Sequence, residues 1–409
     1  FWRGVAGWLS GIAGVYTASL AALELMQRLD GSSVGRAFER GHVLVLGLWG
    51  VAAVALVLAA RRRDSVQVGT GGLVLSGLVL VHAVTFDIAI LDGDRLGAAL
   101  LIAAATLLAT AFADELPSPL FGERLSVVAV CSAVASVGLA VGGLLQLFPD
   151  HAGADLLAVT GFYLAAAALT FRSDRDFSTA LWAPALVVGI YAVDELLGGT
   201  WLVLAWCAVA AALAFLRVAL DEERLAIGSA VYLGLGLAYT LGAQAAPEEF
   251  FSANADPAAG VPSLLCVIAA ALAFAFYVGR NPAAALRPYF WAGVSVLGIY
   301  AASLTILGVF QWIGLADVQT DFQRGHSAVS AFWGVIGLLT LYAGLTRELR
   351  ALRLAGFSLF GLALAKLFLY DLANLSSLTR ALSFLAVGAV LLLAGFFYQR
   401  LTADEPRAA

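Results

Sequence analysis

Two histidines stand where residue type and spacing could do chemistry. His42 follows Arg40 by two positions and precedes Trp49 by seven, and His326 stands in the same relation to Arg324 and Trp333. An imidazole takes or gives a proton near neutral pH, and a guanidinium grips an anionic group through its planar fork of donors. Together they could hold an anion and move a proton at its edge. The strings Phe38-Glu39-Arg40-Gly41-His42 and Phe322-Gln323-Arg324-Gly325-His326 lie 284 positions apart (326 minus 42) in a chain with only four histidines, so chance is a poor account of the match.

Further ionisable residues keep that offset. Phe86-Asp87 pairs with Tyr370-Asp371 and His82 with Lys366, the only lysine; one inserted residue later, Arg95 pairs with Arg380. Each aspartate would end a helix and each arginine would begin the next. That arrangement suits a carboxylate-to-guanidinium clamp across a hairpin, and it equally suits a carboxylate lining an outward-facing cavity. Asp371 lies five residues after Lys366, about 140° round an ideal helix, so the two do not share a stripe. Acidic groups on other helices, Glu24, Asp194 and Glu195 among them, are therefore the expected partners of Lys366.

The elements that must position these groups are membrane helices. Apolar residues make up 62% of the 409 positions and charged residues only 12%, half the charged share of an ordinary soluble domain. Runs long enough to cross a bilayer fall at 5–27, 42–60, 70–91, 96–113, 125–148, 154–171, 178–198, 200–219, 225–245, 261–279, 290–314, 326–346, 354–375 and 381–399, fourteen in all. The first of these reads as a span and not as a signal peptide, because no cleavage-like boundary follows it. The chain opens on Phe1 and not on methionine, which suggests that further sequence precedes it. Sixteen of the 23 basic residues, Arg61-Arg62-Arg63 and Arg347, Arg350 and Arg353 among them, fall in loops on one side and six on the other. By the positive-inside rule the chain is expected in a cell inner membrane with both termini cytoplasmic.

The fold class expected is all-α, a polytopic transmembrane helix bundle built from repeated four-helix units in parallel orientation. Between 14–51 and 298–335, 16 of 38 aligned positions are identical, Ser19 with Ser303 and Trp49 with Trp333 included. Residues 1–113 form the first unit, 114–177 a two-helix half-unit or insertion, 178–289 a degenerate unit without the Arg-Gly-His element, and 290–409 a close copy of the first. An even helix number per unit relates the copies by an axis along the membrane normal.

The run Leu364-Ala365-Lys366-Leu367-Phe368-Leu369-Tyr370-Asp371-Leu372, followed by Leu378-Thr379-Arg380-Ala381-Leu382-Ser383-Phe384 and Gly395-Phe396-Phe397-Tyr398, resembles the closing signature of the bacterial membrane proteins of domain-of-unknown-function family 2339. The resemblance covers mainly the last fifty residues. It implies a bacterial inner-membrane protein and brings no catalytic residues with it.

Several chemistries are not indicated. Cys131, Cys207 and Cys266 lie inside apolar runs without paired spacing, so no metal and no cofactor is expected. No nucleotide-binding loop and no basic run with interleaved aromatics occurs, which argues against nucleic acid. The expected partners are the lipid bilayer and an anionic small molecule or lipid. The leading expectation is transport or flipping of an anionic solute or cell-envelope lipid precursor, bound by Arg40, Arg324, Asp87, Asp371, Lys366, His82, Arg95 and Arg380. A membrane-embedded transferase acting at the outer face, with His326 or His42 as general base, and a non-catalytic envelope-assembly scaffold remain open. So does the bland account in which Arg and Trp are interfacial anchors.

Overall fold

In lipid every backbone amide must find its partner within the chain, and a helix does this locally. The computed structural model follows that rule: it describes residues 2–29, 33–63, 65–115, 124–278, 287–314 and 317–366, with scattered positions between 377 and 396, and among them helix is the dominant element and no strand occurs. Eleven described helices are long and apolar enough to cross a membrane, against the fourteen expected. Val261–Tyr277 falls short in length, and much of the runs expected at 354–375 and 381–399 lies outside the described residues.

The chain divides into two compact units, Phe1–Gly198 and Gly199–Ala409. The first holds α1 (Trp2–Leu29), α2 (Val34–Arg63), α3 (Val66–His82, continuing through a π-helical turn at Ala83–Asp87 to Ile90), α4 (Gly93–Glu115), α5 (Arg124–Leu147), α6 (Ala152–Thr170) and α7 (Arg175–Leu196). Helix α2 packs against α1, α3 and α4, and α5 packs against α4, α6 and α7. Asp174 starts α7 by accepting a hydrogen bond from the Phe177 amide at 2.8 Å, which satisfies one of the free donors of the first turn.

Helices α4 and α5 meet backbone to backbone. A methyl group placed on Gly97 would come 2.8 Å from the Gly143 carbonyl oxygen, and one on Gly143 would come 2.9 Å from that of Gly97. Small residues at such crossings let membrane helices gain close dispersion contact. Gly97→Ala is therefore expected to cost about 1–3 kcal/mol, read as a lower unfolding midpoint in detergent. Gly138→Ala, whose methyl meets nothing within 4 Å, serves as the matched control and should leave the midpoint unchanged.

The second unit holds α8 (Gly199–Leu220), α9 (Arg224–Tyr239), a short turn at Glu249–Phe251, α10 (Val261–Val278), α11 (Arg287–Ile313), α12 (Val318–Thr346) and α13 (Arg350–Lys366). Helix α8 packs on α9 and α10, and the remainder follow in series, α10 on α11, α11 on α12 and α12 on α13. Its core gathers Phe250 from the short turn with Leu264 of α10, Ala301, Leu304 and Leu307 of α11 and Val329 of α12. Asp317 caps α12, accepting from the Thr320 hydroxyl at 2.7 Å and from its amide at 3.2 Å. Those donors, the hydroxyl first, hold its carboxyl below the usual carboxylate range, so this cap is intact at neutral pH and weakens only as the pH falls through that lowered value.

Candidate functional site

The glycine between arginine and histidine sets the distance between helices. A methyl on Gly41 would meet Leu23 of α1 at 2.8 Å (Cδ2) and 3.4 Å (Cα), and one on Gly325 would meet Leu307 of α11 at 2.9 and 3.5 Å. The close approach lets the tryptophan two turns further on reach the neighbouring helix. Trp49 Nε1 donates to Ser19 Oγ at 2.9 Å, and Trp333 Nε1 donates to Ser303 Oγ at 2.9 Å. The phenylalanine that opens each string packs on its histidine, with ring centroids 4.4 Å apart for Phe38 and His42 and 4.5 Å for Phe322 and His326.

Around His42 the first unit assembles a cluster of rings. His82 stacks on His42 at 5.5 Å, Phe86 lies 4.4 Å from His42 and 4.9 Å from His82, and Trp49 meets His82 edge-on at 5.4 Å. The His82 imidazole is bonded to Asp87, Nδ1 to Oδ2 at 3.1 Å. Residues five apart diverge on an ideal helix, but the π-helical turn at Ala83–Asp87 places residue i+5 over residue i. Asp87 is fully buried, and its second oxygen, Oδ1, has no hydrogen-bond partner among the described residues.

In the second unit the same frame is filled by the chain itself. His326 is fully buried, and its Nε2 lies 3.1 Å from the Phe250 carbonyl oxygen, so that the imidazole donates to it. The Phe250 ring lies parallel to Trp333 at 6.3 Å and edge-on to His326 at 5.0 Å. Lys366 donates to Ser330 Oγ at 2.7 Å and to the His326 carbonyl at 3.0 Å, and Ser330 in turn donates to that carbonyl at 3.1 Å. The described contacts of the ammonium are thus a hydroxyl and a backbone carbonyl of α12; acidic groups on other helices were the expected partners. Glu24, one of those, pairs instead with Arg28 on an exposed face of α1.

The arginines do not converge with the histidines. Positions two apart on a helix point about 200° apart, so Arg40 and Arg324 are directed away from the side that carries His42 and His326. Arg40 is exposed. Arg324 pairs with buried Asp321 at 3.4 Å, and Arg95 pairs with Glu39. The clamp expected between Asp87 and Arg95 is not the pairing formed, since the aspartate turns to His82 and the arginine to Glu39. Asp371 and Arg380 lie outside the described residues. Among the described residues no group of three or more His, Cys, Asp or Glu could hold a metal ion.

Beside its histidines the first unit leaves space between helices. A cavity of about 610 Å³ runs between α1, α2 and α3, with Tyr16, Ser19, His42, Trp49 and His82 toward one end and mostly apolar side chains along the rest. Its size falls within the range of small-molecule sites. No arginine or lysine is among the described residues that line it. Glu39, Ser330 and Phe250 were not singled out in the sequence. Ser330 could have been, because it sits one helical turn after His326, whereas nothing local marks Phe250. No curated protein and no solved structure matches the chain. Over residues 256–401, the stretch that carries Arg324, His326 and Lys366, the chain matches the family model described as predicted membrane protein (DUF2339).

Proposed function

We propose that this membrane protein binds an amphipathic, lipid-class molecule in the groove of its first unit and moves it between bilayer leaflets. The observation that carries the reading is the cavity itself, apolar along α1 with the His42, His82 and Trp49 rings at one end. An acyl or polyprenyl tail fits the apolar length, and a polar head fits the imidazole end. The anionic part of the expectation loses support, because Arg95 and Arg324 are engaged by Glu39 and Asp321. The proposed setting is an inner membrane with both termini cytoplasmic, supported by the arginine run Arg61–Arg63 that closes α2.

The test is lipid movement by the full chain reconstituted in vesicles that carry a nitrobenzoxadiazole-labelled glucosylceramide or diacylglycerol glycoside, slow-crossing lipids without a phosphate. At least one probe should cross the bilayer at least tenfold faster than in protein-free vesicles. Leu20→Trp, at a half-exposed residue lining the groove, should remove the gain. Rates equal to protein-free vesicles for both probes would overturn the reading.

One observation favours a second reading, a transferase. The carboxylate of Asp87 orients the His82 imidazole as a general base is oriented. Asp87→Asn removes that partner without filling the groove. It should spare lipid movement if the site only binds, and abolish turnover if His82 is a base.

A further inference from the structure

Resting on the groove as a binding site, we infer that its imidazole end receives a flat ring bearing a carbonyl oxygen, the headgroup of a quinone-like membrane-soluble molecule, and not a phosphate. The second unit supplies the template. There Phe250 presents both parts of such a ligand: an aromatic ring parallel to Trp333 and a carbonyl oxygen accepting from His326 Nε2. The residues that receive it are Tyr300, Ser303, His326 and Trp333, and the same offset of 284 gives Tyr16, Ser19, His42 and Trp49 in the first unit.

Those four line the cavity. Trp49 is held by the same 2.9 Å bond to serine that holds Trp333. The His42 ring makes no hydrogen bond among the described residues, so its Nε2, the atom through which His326 holds the Phe250 carbonyl, is open to a ligand. A donor, a stacking surface and a vacancy therefore coincide where the second unit has a donor, a stacking surface and a phenylalanine.

Charge and length choose among ligand classes. A phosphate needs cationic or multiple backbone donors, and no arginine or lysine is among the described residues that line the cavity. A carbonyl needs one neutral donor, which His42 provides. His82, whose Nδ1 is committed to Asp87, adds a second aromatic face. From Leu23 the lining continues along α1 to Trp8, about 22 Å at 1.5 Å per residue, room for an isoprenoid tail.

The experiment is equilibrium dialysis of 2,3-dimethyl-1,4-naphthoquinone, a ring with no position open to thiol addition, against the full chain in lipid nanodiscs. Saturable binding of one probe per chain is expected, weakened at least tenfold by His42→Phe, which keeps a ring and removes the donor. The carbonyl-free analogue 2,3-dimethylnaphthalene should bind at least tenfold more weakly than the quinone.

No saturable binding, equal affinity for the two probes, or an affinity untouched by His42→Phe would each overturn the inference. If the naphthoquinone fails to bind while labelled lipid still moves and Leu20→Trp still blocks it, only the headgroup assignment falls. If lipid movement is absent as well, the groove reading falls with it.

Discussion

Lys366→Glu is expected to loosen α12 from α13 at a cost of about 3–5 kcal/mol, whereas Lys366→Met should change stability by about 1 kcal/mol or less. The difference follows from what surrounds the ammonium. It donates to Ser330 Oγ and to the His326 carbonyl, both held inside the second unit. A methionine of similar length leaves neither group stranded, since Ser330 already donates to the same carbonyl at 3.1 Å. It also relieves the desolvation of a buried charge. A glutamate instead presses an anionic oxygen against a carbonyl oxygen, with the serine hydroxyl as the donor among the contacts described. Thermal unfolding of the purified protein in detergent reads both. A methionine variant as damaged as the glutamate variant would show that the ammonium contributes far more than its two bonds to α12.

Phe250→Ala should cost about 3–5 kcal/mol, and Phe251→Ala about 1 kcal/mol or less. The neighbouring rings share a turn but not a role. Phe250 is 4% exposed and packs on Tyr300, His326 and Trp333, while Phe251 is 52% exposed. Truncating Phe250 leaves a hole that α11 and α12 cannot close, because the near-contact of Gly325 with Leu307 already sets their separation. Unfolding midpoints of the two variants, compared in one detergent, give the ratio directly. Equal losses would mean that the turn is held by its backbone, with the ring contributing little.

How much was legible in the sequence varies with the range of the interaction. The helices were legible, because a lipid solvent forces every backbone group to be satisfied locally and apolar run length reports that requirement. The partnership of Trp49 with Ser19 and of Trp333 with Ser303 was half-visible: all four residues stood out as identities at one offset, but identity does not say which atoms meet. Ideal helical periodicity sets Lys366 and Asp371 on different stripes, and Asp371 lies outside the described residues; at the pair that matches them in the first unit, a π-helical turn brings His82 and Asp87 within 3.1 Å. No single sequence signal marks where a helix will accept one extra residue per turn.

What the sequence by itself determined is the class of molecule and the recurrence of a tryptophan, a serine and a histidine around a small residue that lets two helices touch. These follow from composition and spacing, which act within one or two helical turns. Only the tertiary structure decided which of the two matching places is occupied. Phe250 reaches His326 from 76 residues away in the chain, and Arg95 and Arg324 paired with Glu39 and Asp321. Such choices depend on which helix crosses which, and on the volume left between them after packing, and neither is written in the spacing of residues along one helix.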